Sequence, residues 1–168
     1  AKAAPADLNL LVGYLFQDPD HQIFLPTVRD ELALSLRASG TRGAAAERRI
    51  AEAIERFGLP PAVTPTALMS YGSRKLLQGA AGWLLGRGLL ILDETDSGLS
   101  YRSFFGLLGT LRAGGAGIVL VTHDAALART AADRVIAMEA GRIVADDRGG
   151  TFDAALAAGG LAPVGEPA

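Results

Sequence analysis

Three runs of apolar residues divide the chain: Leu8–Phe16 (LNLLVGYLF), the LLIL of GLLILDE at 88–94, and IVLVT at 118–122. None of them alternates with polar positions, which is the pattern of strands covered on both faces. Helical periodicity fills the intervals. Thr27 stands at an N-cap position before VRDELALSL, with Asp30 and Glu31 in the first turn, and predicts a helix to about Leu36. In AAAERRIAEAIERFGLPP, Ile50, Ile54 and Phe57 fall on one helical face; Gly58 and then Pro60 and Pro61 supply the stop. Ser70 caps a third helix to about Leu85, and Ser100–Leu111 forms a fourth that ends at Gly114 and Gly115. Asp124 opens a short Ala-rich helix, and 134–138 with 142–145 read as a terminal hairpin around Glu139-Ala140-Gly141. From Gly149 a short helix and a frayed tail are expected. Strands separated by helices predict an α/β fold with a mostly parallel sheet covered by helices. In such a sheet, functional residues gather at the carboxyl ends of the strands.

Composition narrows the function classes. The 168 residues carry 16 Lys plus Arg against 18 Asp plus Glu, a formal charge of −2, without a basic block. That balance argues against a nucleic-acid-binding stripe or a polybasic membrane anchor. With no cysteine there is no disulfide, thiolate metal site or cysteine nucleophile. The long apolar region 76–92 is broken by Gln78, Arg87 and four glycines, which makes it a poor bilayer span, and Ala1–Asp7 has no apolar signal-peptide core. The chain starts at Ala, compatible with removal of Met or with a start inside a longer protein.

Three polar endings meet the expected sheet rim: Gln17, the pair Asp93-Glu94, and His123-Asp124. A strand ending in two carboxylates can place one on Mg²⁺ and the other on an attacking water, although it also serves as an ordinary acidic turn. His123 can bond a phosphate or a water, or simply tie down its loop, and Gln17 is open to the same two readings. The helix start MSYGSRK at 69–75 offers free backbone N–H groups, a hydroxyl and a glycine; it suits a phosphate contact or a plain serine cap.

The order of these features resembles the nucleotide-binding subunit of ATP-binding cassette (ABC) transporters, over about 11–147. LFQDPDHQIFLPTVRDEL is similar to that family's glutamine loop, with wording nearest the energy-coupling-factor and cobalt or nickel importers. MSYGSRK resembles the signature LSGGQ, GLLILDE the second nucleotide motif, TDSGLS the PTAGLD loop, and LVTHD the switch-histidine motif. The resemblance implies ATP and Mg²⁺ as cofactors. It assigns Asp93 and Gln17 to the metal side, Glu94 as catalytic base, and His123 to the γ-phosphate. It also implies that Gln17 touches its own domain's nucleotide, that Ser70, Gly72 and Ser73 reach the partner domain's ATP, and that Asp18, Pro19, Asp20, Gln22 and Phe24 couple to a membrane subunit. The implied partners are a second ABC ATPase domain and an integral membrane transport subunit, with no nucleic acid, at the cytoplasmic face of the membrane.

The departures carry equal weight. Ser73 replaces the usual Gln, Thr95 the usual Pro, and Ser100 the usual Asp. The motif GxxxxGK[ST], whose lysine reaches the β and γ phosphates, does not occur: the two lysines, Lys2 and Lys75, follow Ala1 and Arg74. The expected organisation is a partial ABC ATPase domain over 1–168: strand and glutamine loop at 8–17, helical subdomain at 18–86, core with second nucleotide motif and switch histidine at 87–148, and tail at 149–168. The N-terminal strands and phosphate-binding loop are expected to be absent, by truncation or as a natural variant. Two functions follow: the partial ATP-binding and hydrolysing subunit of an importer, inactive alone, or a non-catalytic pseudo-ATPase partner or regulatory half-domain that lends only its signature face.

Overall fold

The computed structural model describes residues 5–148 and 152–160. Two units divide the chain, 1–121 and 122–168.

In the first unit the strands are β1 (Val12–Leu15), β2 (Leu89–Asp93) and β3 (Gly117–Val121), paired in parallel in the order β1-β2-β3. The register sets Leu15 beside Leu92, and Leu92 beside Leu120. The first apolar run is not one strand. Its front half is helix α1 (Pro5–Leu11), and pairing starts at Val12. Pro5 occupies the first helical position, where its fixed φ suits a helix, and the Leu-rich stretch holds no β-branched residue before Val12. Hydrophobicity alone does not separate the two outcomes.

Helices α2 (Val28–Ala38), α3 (Gly43–Phe57) and α4 (Tyr71–Leu85) pack together, and α5 (Tyr101–Ala113) contacts α3 and α4. Capping follows the sequence closely. The side chains of Thr27, Ser70 and Ser100 accept from the backbone N–H three residues on, and Gly58 ends α3 in the left-handed conformation. Helix α4 is the centre of the packing, because its small residues let neighbours approach: a Cβ on Gly79 would lie 2.3 Å from a methyl of Leu107 on α5. Larger residues there would push the helices apart.

The sheet is covered unequally. Leu15, Leu90 and Leu92 are essentially fully buried, whereas Tyr14, Val119 and Val121 on the opposite face are 40–46% exposed. The sequence pattern predicts cover on both faces; among the described residues it exists on one.

In the second unit, α6 (Ala125–Ala131) is followed by an antiparallel hairpin, β4 (Arg134–Glu139) and β5 (Arg142–Arg148), and by α7 (Asp153–Ala158). Ala125, Ala128, Phe152 and Leu156 form its small core, with Val135 packed against them. Arg129 pairs with Asp153, and Arg134 pairs with Asp146 across the hairpin, its Nε 2.7 Å from Oδ1. The expected tail beyond Gly160 and the segment 149–151 lie outside the described residues.

Candidate functional site

β1 and β2 run in parallel, so their carboxyl ends deliver Gln17 and the Asp93-Glu94 pair to one rim. There the Gln17 amide donates from Nε2 to Oε2 of Glu94 at 2.6 Å. The Tyr14 hydroxyl donates to Oδ2 of Asp93, also at 2.6 Å, and this bond to a carboxylate, with burial as the lesser cause, raises the Tyr14 pKa. Glu94 leaves the strand with φ of +41°, in the left-handed region that a residue with a side chain rarely adopts. That turn separates the two carboxylates: Asp93 meets Tyr14 and Glu94 meets Gln17.

Helix α4 supplies the floor of the rim. Lys75 is fully buried, and its Nζ donates to the backbone carbonyl of Glu94 at 2.7 Å. Burial holds the Lys75 pKa below its ordinary value, opposed by the nearby charges of Asp96, Glu94, Asp18 and Asp93. One turn earlier, the Tyr71 hydroxyl donates to the Gln17 carbonyl at 3.1 Å. The Tyr71 ring also lies against Gly98, where φ is +77° and a Cβ would come within 2.6 Å of a ring carbon. Only glycine fits that turn against that ring.

The other expected residues divide by what they touch. Ser70 caps α4, and its hydroxyl donates to the Ser73 hydroxyl at 2.9 Å. Gly72 faces the Gly98 carbonyl, 3.2 Å from where a Cβ would be. Asp18 accepts from the Asp20 backbone, Pro19 is buried, and the Gln22 side-chain oxygen accepts from Phe16 N and from Gln78 Nε2. Phe24 is 70% exposed beside a groove lined by Asp20, Ile23, Thr66, Ala67 and Arg74. Asp20 forms an ion pair with Arg74 at 3.1 Å. His123 lies two residues beyond β3, in the second unit, next to Asp124, which caps α6 by accepting from Leu127 N. The buried Thr95 hydroxyl finds no hydrogen-bond partner among the described residues.

Sequence reasoning overlooked Lys75 and Tyr71. Lysine at a helix i+4 position carries no signal of burial, and a tyrosine within a signature-like motif reads as part of the motif. The i, i+4 spacing of the two was visible, but their targets lie 19 and 54 residues away.

The rim's donors are hard oxygens: the Asp93 carboxylate, and the Gln17 amide oxygen left over when its nitrogen bonds Glu94. Such a set suits Mg²⁺, which binds one or two protein oxygens and completes its shell with water and phosphate.

No protein-family model matches the chain. A putative ABC transporter ATP-binding protein of Streptomyces avermitilis is 34% identical over 146 residues, which are 86% of this chain and 56% of that protein. One of the same description from Streptomyces coelicolor is 33% identical over 84% of this chain and 55% of its own length. The chain thus spans just over half the length of these relatives. Among solved structures, an ATP-binding subunit of an ABC transporter has a TM-score of 0.76 at 27% identity, over 94% of this chain and 66% of that one. CbiO1 from Clostridium perfringens, described as part of the transporter complex CbiONQ, has a TM-score of 0.73 at 25% identity, over 89% and 61%. A dimeric ATP-binding cassette bound to ADP and Pi has a TM-score of 0.73 at 20% identity, a likeness of fold alone, over 88% and 68%.

Proposed function

The chain belongs, over the length it spans, to the ATP-binding cassette ATPases, and from that premise we propose that it is the hydrolytic and coupling portion of an importer's ATP-binding subunit. The observation that carries this reading is the Gln17–Glu94 hydrogen bond at the carboxyl ends of β1 and β2, with Asp93 beside it. Glu94 acts as general base toward the attacking water, Gln17 orients that carboxylate, and Asp93 faces the metal. Asp93 and Gln17 would hold Mg²⁺, which when bound neutralises charge on the phosphates. His123 serves as the contact to the γ-phosphate. Ser70, Gly72 and Ser73 at the N-terminus of α4 present the face that meets the ATP of a second ABC ATPase domain, where a helix N-terminus favours an anion.

The coupling surface for an integral membrane subunit lies after Gln17. Of Asp18, Pro19, Asp20, Gln22 and Phe24, the exposed Phe24 and Asp20 form the outward part, next to the groove, while Pro19 and Gln22 hold the loop from within. The wording of the glutamine loop, DPDHQIF followed by PTV, supports the energy-coupling-factor and cobalt or nickel type of importer, and the likeness to CbiO1, part of a transporter complex, supports a place at the membrane periphery. Among the described residues, no helix is long and apolar enough to cross a membrane.

The test joins this chain to a phosphate-binding portion carrying GxxxxGK[ST] and measures MgATP binding and hydrolysis. Hydrolysis is expected, and Glu94→Gln is expected to keep ATP binding while lowering turnover by about 10²–10⁴-fold. An active Glu94→Gln variant would remove Glu94 from the base role. The altered signature, in which Ser73 stands for the usual Gln and accepts from the Ser70 hydroxyl, favours a second reading: a pseudo-ATPase partner or regulatory half-domain lending only its signature face. That reading predicts that the joined wild-type protein binds ATP and does not turn it over.

A further inference from the structure

The Gln17–Glu94 pair is held from behind by a single helix. Tyr71 and Lys75 lie one turn apart on α4, and each donates to the backbone carbonyl of one member of the pair: Tyr71 to Gln17, Lys75 to Glu94. The side chains of the pair close the ring at 2.6 Å. The Glu94 carbonyl also accepts from Ser97 N at 3.1 Å, so the buried ammonium takes its second acceptor site. The Lys75 Nζ is 5.5 Å from the Tyr71 ring centroid, within cation–π range.

Two facts make this more than packing. A fully buried lysine is costly unless it is paired and bonded, and an apolar side chain could fill the same space without that cost. Its bond also falls on the residue held at φ +41°, a conformation that persists only where its surroundings over-determine it.

We infer that Lys75 is a positioning residue for Glu94, and that Tyr71 plays the same part for Gln17, so that the first two turns of α4 set the geometry of the pair. The consequence for turnover rests on the reading of Glu94 as the base that Gln17 orients; the positioning itself does not.

Amide hydrogen exchange on the 168-residue chain tests the positioning without any activity. Lys75→Met should speed exchange at the Ser97 amide about tenfold or more and leave α3 unchanged, and Lys75→Arg, which keeps a donor, should return most of the protection. Tyr71→Phe should leave Ser97 protected. In the chain joined to a phosphate-binding portion, Lys75→Met should lower kcat by about 10–100-fold and move KM for ATP by less than about threefold, the pattern of a misplaced catalytic group. Thermal midpoints of the variants separate this from general unfolding. Wild-type exchange at Ser97 in Lys75→Met overturns the inference. Normal exchange loss together with an active Glu94→Gln variant leaves the positioning intact and overturns only the assignment of Glu94 as base.

Discussion

Single residues in this protein show where polar chemistry has been taken out of water. The Thr95 hydroxyl is fully buried and has no partner among the described residues. A buried unsatisfied hydroxyl costs about 1–3 kcal/mol, and valine has nearly the same shape. Thr95→Val is therefore expected to raise stability by about 1 kcal/mol in urea unfolding, and a loss of stability would show that the hydroxyl is bonded in solution. Lys75 gives a pH signature. Its pKa is lowered by burial, so between that lowered value and the 10.5 of an ordinary lysine the unfolded chain holds more protons than the folded one. Stability of wild type relative to Lys75→Met should accordingly rise with pH across that window. Tyr14 and Tyr71, both raised, act in the opposite sense above 10, and the difference between the two proteins removes their contribution. Motif-bearing residues such as Gln17, Asp93 and Glu94 could be picked out from the sequence because they end apolar strands. Lys75 could not, since its role depends on a partner supplied by folding.

At the level of elements, caps and stops were the most legible feature. Thr27, Ser70, Ser100 and Asp124 each accept from the backbone three residues on, because capping is a local bond that needs no distant partner. The first apolar run was the least legible: Leu-rich sequence suits helix and strand alike, and only pairing with Leu89–Leu92 decides where β1 begins. The two faces of the sheet should respond differently to substitution. Leu92→Ala, on the covered face, is expected to cost about 2–5 kcal/mol, whereas Val119→Thr, on the open face, should cost under about 0.5 kcal/mol; chemical unfolding of both variants checks the contrast. In the hairpin, the bond from Arg134 holds the Asp146 pKa down. The stabilisation it brings is present above the ordinary carboxylate value and fades as pH falls through the lowered one. Asp146→Asn should abolish that part of the acid dependence, read from the unfolding of the hairpin unit between about pH 2 and 5.

For the whole molecule, the 168-residue chain keeps the residues assigned to hydrolysis and switching but contains no GxxxxGK[ST]. By itself it is expected to show no ATP turnover and at most weak MgATP binding; micromolar affinity in calorimetry would contradict this. The uncovered face of the sheet, with Tyr14, Val119 and Val121, fits a stretch spanning just over half of its relatives, since parallel sheets are normally covered on both sides. The sequence by itself determined the α/β class, the caps, the order of the motifs and the absence of a phosphate-loop lysine, because each is written in neighbouring residues or in simple spacing. The tertiary structure decided the rest: that Gln17 reaches Glu94, that Asp93 and Glu94 part company at a left-handed turn, and that one sheet face stays open. It also showed that the lysine that could not cradle a phosphate is buried beneath the Gln17–Glu94 pair and bonded to the Glu94 carbonyl. The bonds among them join residues 19 to 79 positions apart, which no local pattern encodes; the parallel pairing of β1 with β2 and the packing of α4 against the strand ends bring them within reach.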